Sequence, residues 1–140
     1  MTTAESPNVR TVREIVRAVS EYEFDVIARH LHDELVIECP FPAFFQGPLR
    51  RGGAQVAAGF AFIPQIFKTF KLHITDIYDC PEQDVVVFEQ TSEGEFVAGG
   101  TFANRYVMIL GFRDGKVVLW RECFDPIVMN EAMVPLLAWS

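Results

Sequence analysis

The feature of this chain best suited to proton chemistry is a glutamate set between large aromatic residues. Glu122 sits in Lys-Val-Val-Leu-Trp-Arg-Glu-Cys-Phe-Asp-Pro (Lys116–Pro126), directly after Asp114-Gly115. An Asp-Gly pair tolerates the positive φ angles of a tight turn, so this stretch is predicted to be the return strand of a hairpin whose outgoing strand is Phe102–Arg113. Side chains alternate across a strand. Val118, Trp120, Glu122 and Phe124 therefore share one face, and Val117, Leu119, Arg121 and Cys123 the other. A carboxyl group among apolar neighbours is disfavoured in its charged form. Its pKa rises toward neutrality, where a group can both take and return a proton. A structural ion pair with a nearby arginine would account for the same residue without any chemistry.

Other chemistries find less support. His30 and His32 are two apart, on different sides of a helix, and His73 is isolated on a strand; no His/Asp/Glu set has metal-ligand spacing. Neither a serine-nucleophile motif nor a dinucleotide fingerprint is present, so neither a metal nor an organic cofactor is expected. The adjacent Arg50-Arg51 before Gly52-Gly53 lacks the strand and phosphate-loop pattern of an anion site and reads as a solvated loop. Glu38 and Glu89 are rival acids. Glu38 is expected on the face opposite Cys39, and Glu89 is expected to pair with Arg105 or Arg121 on the outside of a sheet.

The elements that must position Glu122 follow from pattern. Ser6-Pro7 is a helix start, and Val9, Val12, Val16 and Val19 recur at helical spacing, with Ile15 beside them. A shorter helix fits Asp25–Leu31, and a strand fits Leu35–Cys39, ended by Pro40 and Pro42. A loop rich in Pro, Gly and Phe leads to a helix over Ala54–Phe62, whose Ala57, Ala58 and Gly59 allow close packing, and Pro64 ends or kinks it. From Lys71 onward the pattern is strands: Lys71–Asp79, Val85–Thr91 and Phe102–Arg113, with turns expected at Pro81–Asp84 and Glu93-Gly94. The apolar Ile127–Trp139 is expected to pack on something, a partner subunit among the options. Helices followed by a run of strands is the α+β signature. A curved sheet around helices encloses a concave apolar space where a small ligand fits.

Composition narrows the partners. The chain has 140 residues, suited to a single domain over 1–140, and half of them are hydrophobic. Thirteen are Phe, more than a small core needs, which points to a cavity lining or a subunit contact. A formal charge of −7 argues against nucleic acid and against an anionic membrane surface. No basic-then-apolar leader and no membrane-length apolar run is read, and three scattered Cys without Cys-x-x-Cys suit reduced thiols; a cytoplasmic location is expected.

With helices, then Cys39-Pro40, then Gly53–Phe60, then Phe112–Lys116 and Trp120–Pro126 in that order, the chain resembles the nuclear transport factor 2-like superfamily. Within it, the chain is most similar to the SnoaL-like, ketosteroid isomerase-related branch. Asn104-Arg105-Tyr106 through Asp125-Pro126 resembles the phenazine-biosynthesis protein A/B-like group in particular. The resemblance implies an α+β cone, a curved antiparallel sheet wrapped around three N-terminal helices with a deep pocket between them. It also implies a homodimer through the outer sheet face. It places Cys39, Phe60, Met108, Trp120, Glu122 and Phe124 toward the pocket, and alternation on the outgoing strand adds Asn104 and Tyr106 as hydrogen-bonding groups. The ketosteroid isomerase base, an Asp before a Pro, falls on Cys39, and its oxyanion-hole Tyr and Asp fall on Ile15 and Met108, which carry no suitable donors. The His and Ser partners of the phenazine-type acid fall near Gly59 and Ile63.

The expected function is therefore a cofactor-independent isomerase- or cyclase-like protein acting on a hydrophobic, cyclic carbonyl metabolite. Glu122 would be the acid/base, with Asn104, Tyr106, Trp120, Phe60, Phe124, Met108 and Cys39 around the substrate. Two alternatives stand beside it: a non-catalytic binding protein for a hydrophobic metabolite, and a dimeric interaction domain.

Overall fold

The computed structural model of the chain describes residues 4–41 and 52–137. Helix α1 (Pro7–Ser20) begins where expected: the Ser6 hydroxyl accepts a hydrogen bond from the Val9 amide at 3.2 Å, and Pro7 needs no partner for an N–H it lacks. Its stripe of Val9, Val12, Ile15, Val16 and Val19 is buried. Helix α2 spans Phe24–Arg29, shorter than the sequence predicts, because His30 is already its C-cap. Strand β1 (Leu31–Glu38) follows at once, four residues earlier than expected. His30 and His32 thus flank a helix-to-strand junction rather than sharing a helix. His30 Nε2 lies 2.7 Å from a Glu14 carboxylate oxygen, an ion pair when the imidazole is charged.

Helix α3 (Gly53–Phe60) and the short α4 (Ile63–Ile66) form the next layer. The small residue that permits close packing is Gly53, not Gly59. A Cβ at Gly53 would sit 2.5 Å from the His32 carbonyl oxygen, whereas one at Gly59 would meet nothing. Strands β2 (Phe67–Cys80), β3 (Val85–Phe96) and β4 (Thr101–Arg113) are longer than predicted, and β5 (Lys116–Phe124) stops two residues short of the expected Pro126, which begins the next helix. The turn expected at Glu93-Gly94 is strand. These residues pair with Lys71 and Phe70 of β2, and Gly94 lets the Thr69 carbonyl approach to 2.6 Å of where a Cβ would lie. The actual reversal uses Gly99 and Gly100, with φ of 101° and 94°. Asp114 and Gly115 take the positive φ angles foreseen for them, 54° and 76°.

The sheet order is β1-β5-β4-β3-β2. Its long ladders are antiparallel, and β1 joins the edge of β5 in parallel, which makes the sheet mixed. Register shifts interrupt β2 between Ile74 and Asp76 and the β4–β5 ladder between Gly111 and Phe112. Extra residues of this kind bend a strand, and the sheet curves around the helices. The second shift also resets the alternation of β5. Phe112 faces Val117 and Gly111 faces Leu119, so Val118 is the extra residue. Val117 is consequently fully buried and Val118 only partly so, the reverse of uninterrupted alternation. From Trp120 onward the expected faces are restored.

The C-terminal apolar segment is helix α5 (Pro126–Leu137). The Asp125 carboxylate accepts from the amides of Ile127 at 3.0 Å and Val128 at 3.3 Å, capping the helix just before Pro126. Helix α5 packs back on β4 of its own chain.

Candidate functional site

Between the concave face of the sheet and the helices lies a cavity of about 290 Å³. The helices contribute only apolar groups to it, among them Ile15 of α1, Phe60 of α3 and Met129 and Met133 of α5. The sheet contributes aromatic walls and every polar group: Gln90 on β3, Tyr106 on β4, and Trp120 and Glu122 on β5. Five of the thirteen phenylalanines (60, 67, 70, 88 and 102) line it. Phe67 anchors a ring cluster, with centroids 5.0 Å from Phe70, 4.8 Å from Phe96 and 5.5 Å from Phe102.

Strand pairing arranges these side chains in rungs across the inner face. Phe88, Met108 and Glu122 form one rung, and Gln90, Tyr106 and Phe124 the next. Glu122 belongs to the cavity, and its residual exposure is intermediate. Burial among apolar groups pushes its carboxyl from 4.5 up to about 7, and the Trp120 indole N–H opposes the rise. That N–H lies near enough to favour the carboxylate but falls short of hydrogen-bond geometry, for Trp120 Nε1 is buried without a hydrogen-bond partner. The Trp120 ring is fixed instead by Phe60, at a centroid distance of 5.5 Å.

Tyr106 is 7% exposed, and its hydroxyl is 2.9 Å from that of Ser92, itself 2% exposed. Either hydroxyl can donate in this pair. When Ser92 donates, the tyrosine proton remains available to the cavity. Burial raises the pKa of Tyr106, so the phenol stays neutral at physiological pH.

Five of the eight residues expected at the site line the cavity: Glu122, Tyr106, Trp120, Phe60 and Met108. The other three stand apart from it. Asn104 is buried on the inner face, but its side chain grips the start of α5. Its Nδ2 donates to the Asp125 carbonyl at 3.2 Å, and its Oδ1 accepts from the amides of Arg105 at 2.7 Å and Asp125 at 3.3 Å. Phe124 supports Tyr106 from behind, ring edge to face at 6.5 Å. Cys39 is part of the buried core, and its thiol is pushed up to about 11, first by burial and then by the charges of Glu122 and Cys123. A thiol so raised is protonated and unreactive at neutral pH.

The two rival acids are occupied on the other face. Glu38 Oε2 accepts from Arg121 Nε at 2.9 Å. Glu89 accepts from the Tyr78 hydroxyl at 3.2 Å, in place of the arginine expected for it. The Arg50-Arg51 pair and the phenylalanines of its loop, Phe44 and Phe45, lie outside the described residues. Among the described residues no cluster of His, Cys, Asp or Glu has the geometry of a metal site, and no helix is long and apolar enough to cross a membrane.

Gln90 is the site residue that sequence reasoning overlooked. It is 4% exposed, lines the cavity, and its Oε1 has no hydrogen-bond partner. Its signal was present in the strand pattern, since Val86, Phe88 and Gln90 alternate on one face of a predicted strand and place an amide in an apolar row.

Residues 12–120 match the SnoaL-like domain family. The chain belongs to the SnoaL-like domain family. An uncharacterised PhzA/B-like protein of Pseudomonas aeruginosa is 26% identical over 103 residues, covering 73% of this chain and 72% of that protein. Two solved structures share the fold. One is an NTF2-like protein of unknown function from Burkholderia pseudomallei, with a TM-score of 0.77, 21% identity, and coverage of 91% of this chain and 97% of that one. The other is an LEH-like epoxide hydrolase from M. tuberculosis, with a TM-score of 0.72, 22% identity, and coverage of 96% and 97%. The SnoaL-like match ends two residues before Glu122, so the case for that residue is made by its surroundings.

Proposed function

We propose that this SnoaL-like protein binds a small, mostly apolar cyclic ketone in the cavity and shifts a proton on it without a cofactor. One observation carries the reading. Glu122 is the single carboxylate among the described lining residues, and none of them offers it a counter-ion in a mostly apolar hollow. A carboxyl with a pKa near 7 is present in both protonation states at neutral pH, which is what a group that removes and then returns a proton requires.

The step is balanced by the protein's own groups. The Glu122 carboxylate takes a proton from the carbon next to the ring carbonyl, and the electron pair moves to the carbonyl oxygen. A donor facing that oxygen, the Tyr106 hydroxyl or the Trp120 N–H, stabilises the enolate. Where the ketone carries a double bond one carbon beyond the deprotonated position, the enolate is a dienolate; return of the proton from Glu122 to its far carbon moves the double bond into conjugation and restores the carboxylate. The lining offers no second carboxylate and no arginine among the described residues, so an Asp-Arg-Asp arrangement for activating water on an epoxide is not assembled there.

The test uses 1-tetralone, a two-ring ketone, in deuterated buffer, with loss of the proton signal next to the carbonyl followed by NMR. The wild-type protein is expected to accelerate exchange, with the rate rising as pH passes about 7 because the ionised carboxylate is the base. Glu122→Gln, nearly identical in shape, is expected to lose roughly 100-fold or more of that acceleration. Equal rates for the two proteins would refute the assignment.

A further inference from the structure

Gln90 is the polar group that the proton-transfer scheme leaves unused. It lies two strands away from Glu122 and one inward rung farther along, with Tyr106 between it and Phe124 in its own rung. At about 4.8 Å per strand and 3.3 Å per residue, the two backbones are roughly 12 Å apart across the concave wall. Between them on β4 lie Met108, apolar and fully buried, and Tyr106, whose hydroxyl is engaged by Ser92. Glu122 and Gln90 thus stand at opposite corners of this part of the wall.

A buried amide oxygen without a partner is costly, and folded proteins satisfy such atoms almost always. Gln90 Oε1 is such an atom, and the residue that carries it lines the hollow. Its neighbour Ser92 has a hydroxyl at the same end of the cavity wall, but that hydroxyl is engaged by Tyr106. No described side chain of the protein completes Gln90. A ligand that does so must bring a hydrogen-bond donor to that end. A hydroxyl suits the position best, because it donates and accepts and so pairs with the amide in either orientation.

Size narrows the ligand further. A volume of about 290 Å³ is at the lower end of the roughly 300–1,000 Å³ typical of small-molecule pockets. It suits a molecule of one or two rings.

We propose that Gln90 is a specificity-determining residue, and that the ligand is a one- or two-ring compound carrying a hydroxyl at the end opposite its carbonyl, with the hydroxyl on Gln90 and the carbonyl toward Glu122. The proposal rests on the reading of the cavity as a small-molecule site and adds the substitution pattern of the ligand. A site built to hydrogen-bond a hydroxyl discriminates against the analogue lacking it, because the amide is then desolvated and left unpaired.

The test compares 6-hydroxy-1-tetralone with 1-tetralone by isothermal titration calorimetry at pH 6, where the phenol is neutral. Wild-type protein is expected to bind the hydroxylated ketone roughly tenfold or more tightly. In Gln90→Met, which preserves the length of the side chain, and in Gln90→Leu, that preference is expected to vanish while 1-tetralone binds at least as well as to wild type. Both variants remove an unpaired buried group, so their melting temperatures should equal or exceed that of the wild type. A wild type that does not distinguish the two ketones, or a preference that survives both substitutions, would overturn the assignment. Because calorimetry reads affinity alone, the two proposals fail separately. Proton exchange without hydroxyl preference removes only the role of Gln90, and hydroxyl preference without exchange removes only the role of Glu122.

Discussion

Arg121 and Glu122 are consecutive residues of β5, and the two faces of that strand treat polar groups in opposite ways. On the outer face Arg121 meets Glu38, Arg113 meets Glu34 and the Tyr78 hydroxyl meets Glu89, so each of these polar groups has a partner within the chain and access to solvent. On the inner face, among the described residues, Glu122 has no counter-ion, Trp120 Nε1 and Gln90 Oε1 have no hydrogen-bond partner, and the surroundings are mostly apolar. Exposed pairs of the first kind contribute little to stability, because water screens them and competes for both partners. Unpartnered groups of the second kind are expensive to bury. The proposed ligand would relieve that expense, because the unpartnered groups surround the hollow it would occupy. The outer pairs, by contrast, are explained by solubility and sheet geometry alone.

That contrast can be broken or sharpened by experiment. The largest effect expected on stability comes from the charge of Glu122 itself. Its folded pKa of about 7 lies above the 4.5 of an unperturbed glutamate, so between these values the folded state holds a proton that the unfolded state has released. Folding stability must therefore fall as pH rises through this window, and the penalty is complete above about pH 7. At about 1.4 kcal/mol per unit, the full penalty is on the order of 3 kcal/mol. Glu122→Gln carries no such penalty. Urea unfolding at pH 5 and pH 8 should show the variant gaining on the wild type by a few kcal/mol at the higher pH. A gap that does not move with pH would mean that the carboxyl is as well solvated as those outside.

A smaller effect is expected from Trp120→Phe, which keeps an aromatic ring against Phe60 and deletes the indole N–H. That N–H favours the carboxylate, so without it the Glu122 pKa should rise further. The midpoint of the pH–rate profile for tetralone exchange should then move upward. An unchanged midpoint would show that Trp120 is wall and nothing more.

The smallest effect belongs to the outer face. A double-mutant cycle on Arg121→Ala and Glu38→Ala should give a coupling of about 0.2–1 kcal/mol. Exchange activity should stay at the wild-type level. A large coupling, or lost activity, would show that the two faces of β5 are not independent.

Much of the wall that carries Glu122 was readable from residues alone. Asp114-Gly115 set the hairpin, and alternation from Trp120 to Phe124 assigned Glu122 to the aromatic face, because both depend on backbone sterics within a few residues. Asn104 shows where such reasoning stops. Alternation correctly turned it inward, yet its amide is consumed by Asp125 at the mouth of α5, a segment 21 residues away in the chain. Cys39, likewise, is buried as expected but among core residues rather than on the cavity lining. Val118 illustrates a third limit: one inserted residue in the ladder moved it off the buried row, and nothing in Lys116–Leu119 announces the insertion.

Local residue preferences were enough to set the order of helices and strands, the tight hairpin, and the side of the last strand on which an acid would stand among aromatics. These follow from preferences that each residue exerts on its immediate neighbours. Folding in three dimensions is what leaves Glu122 without a counter-ion among the described residues, sets Gln90 on the same hollow from two strands away, and lines that hollow with Met129 and Met133 of the C-terminal helix. Whether a polar group is satisfied depends on everything within a few ångströms of it, and the walls of this hollow come from α1, α3, α4, α5 and four separate strands.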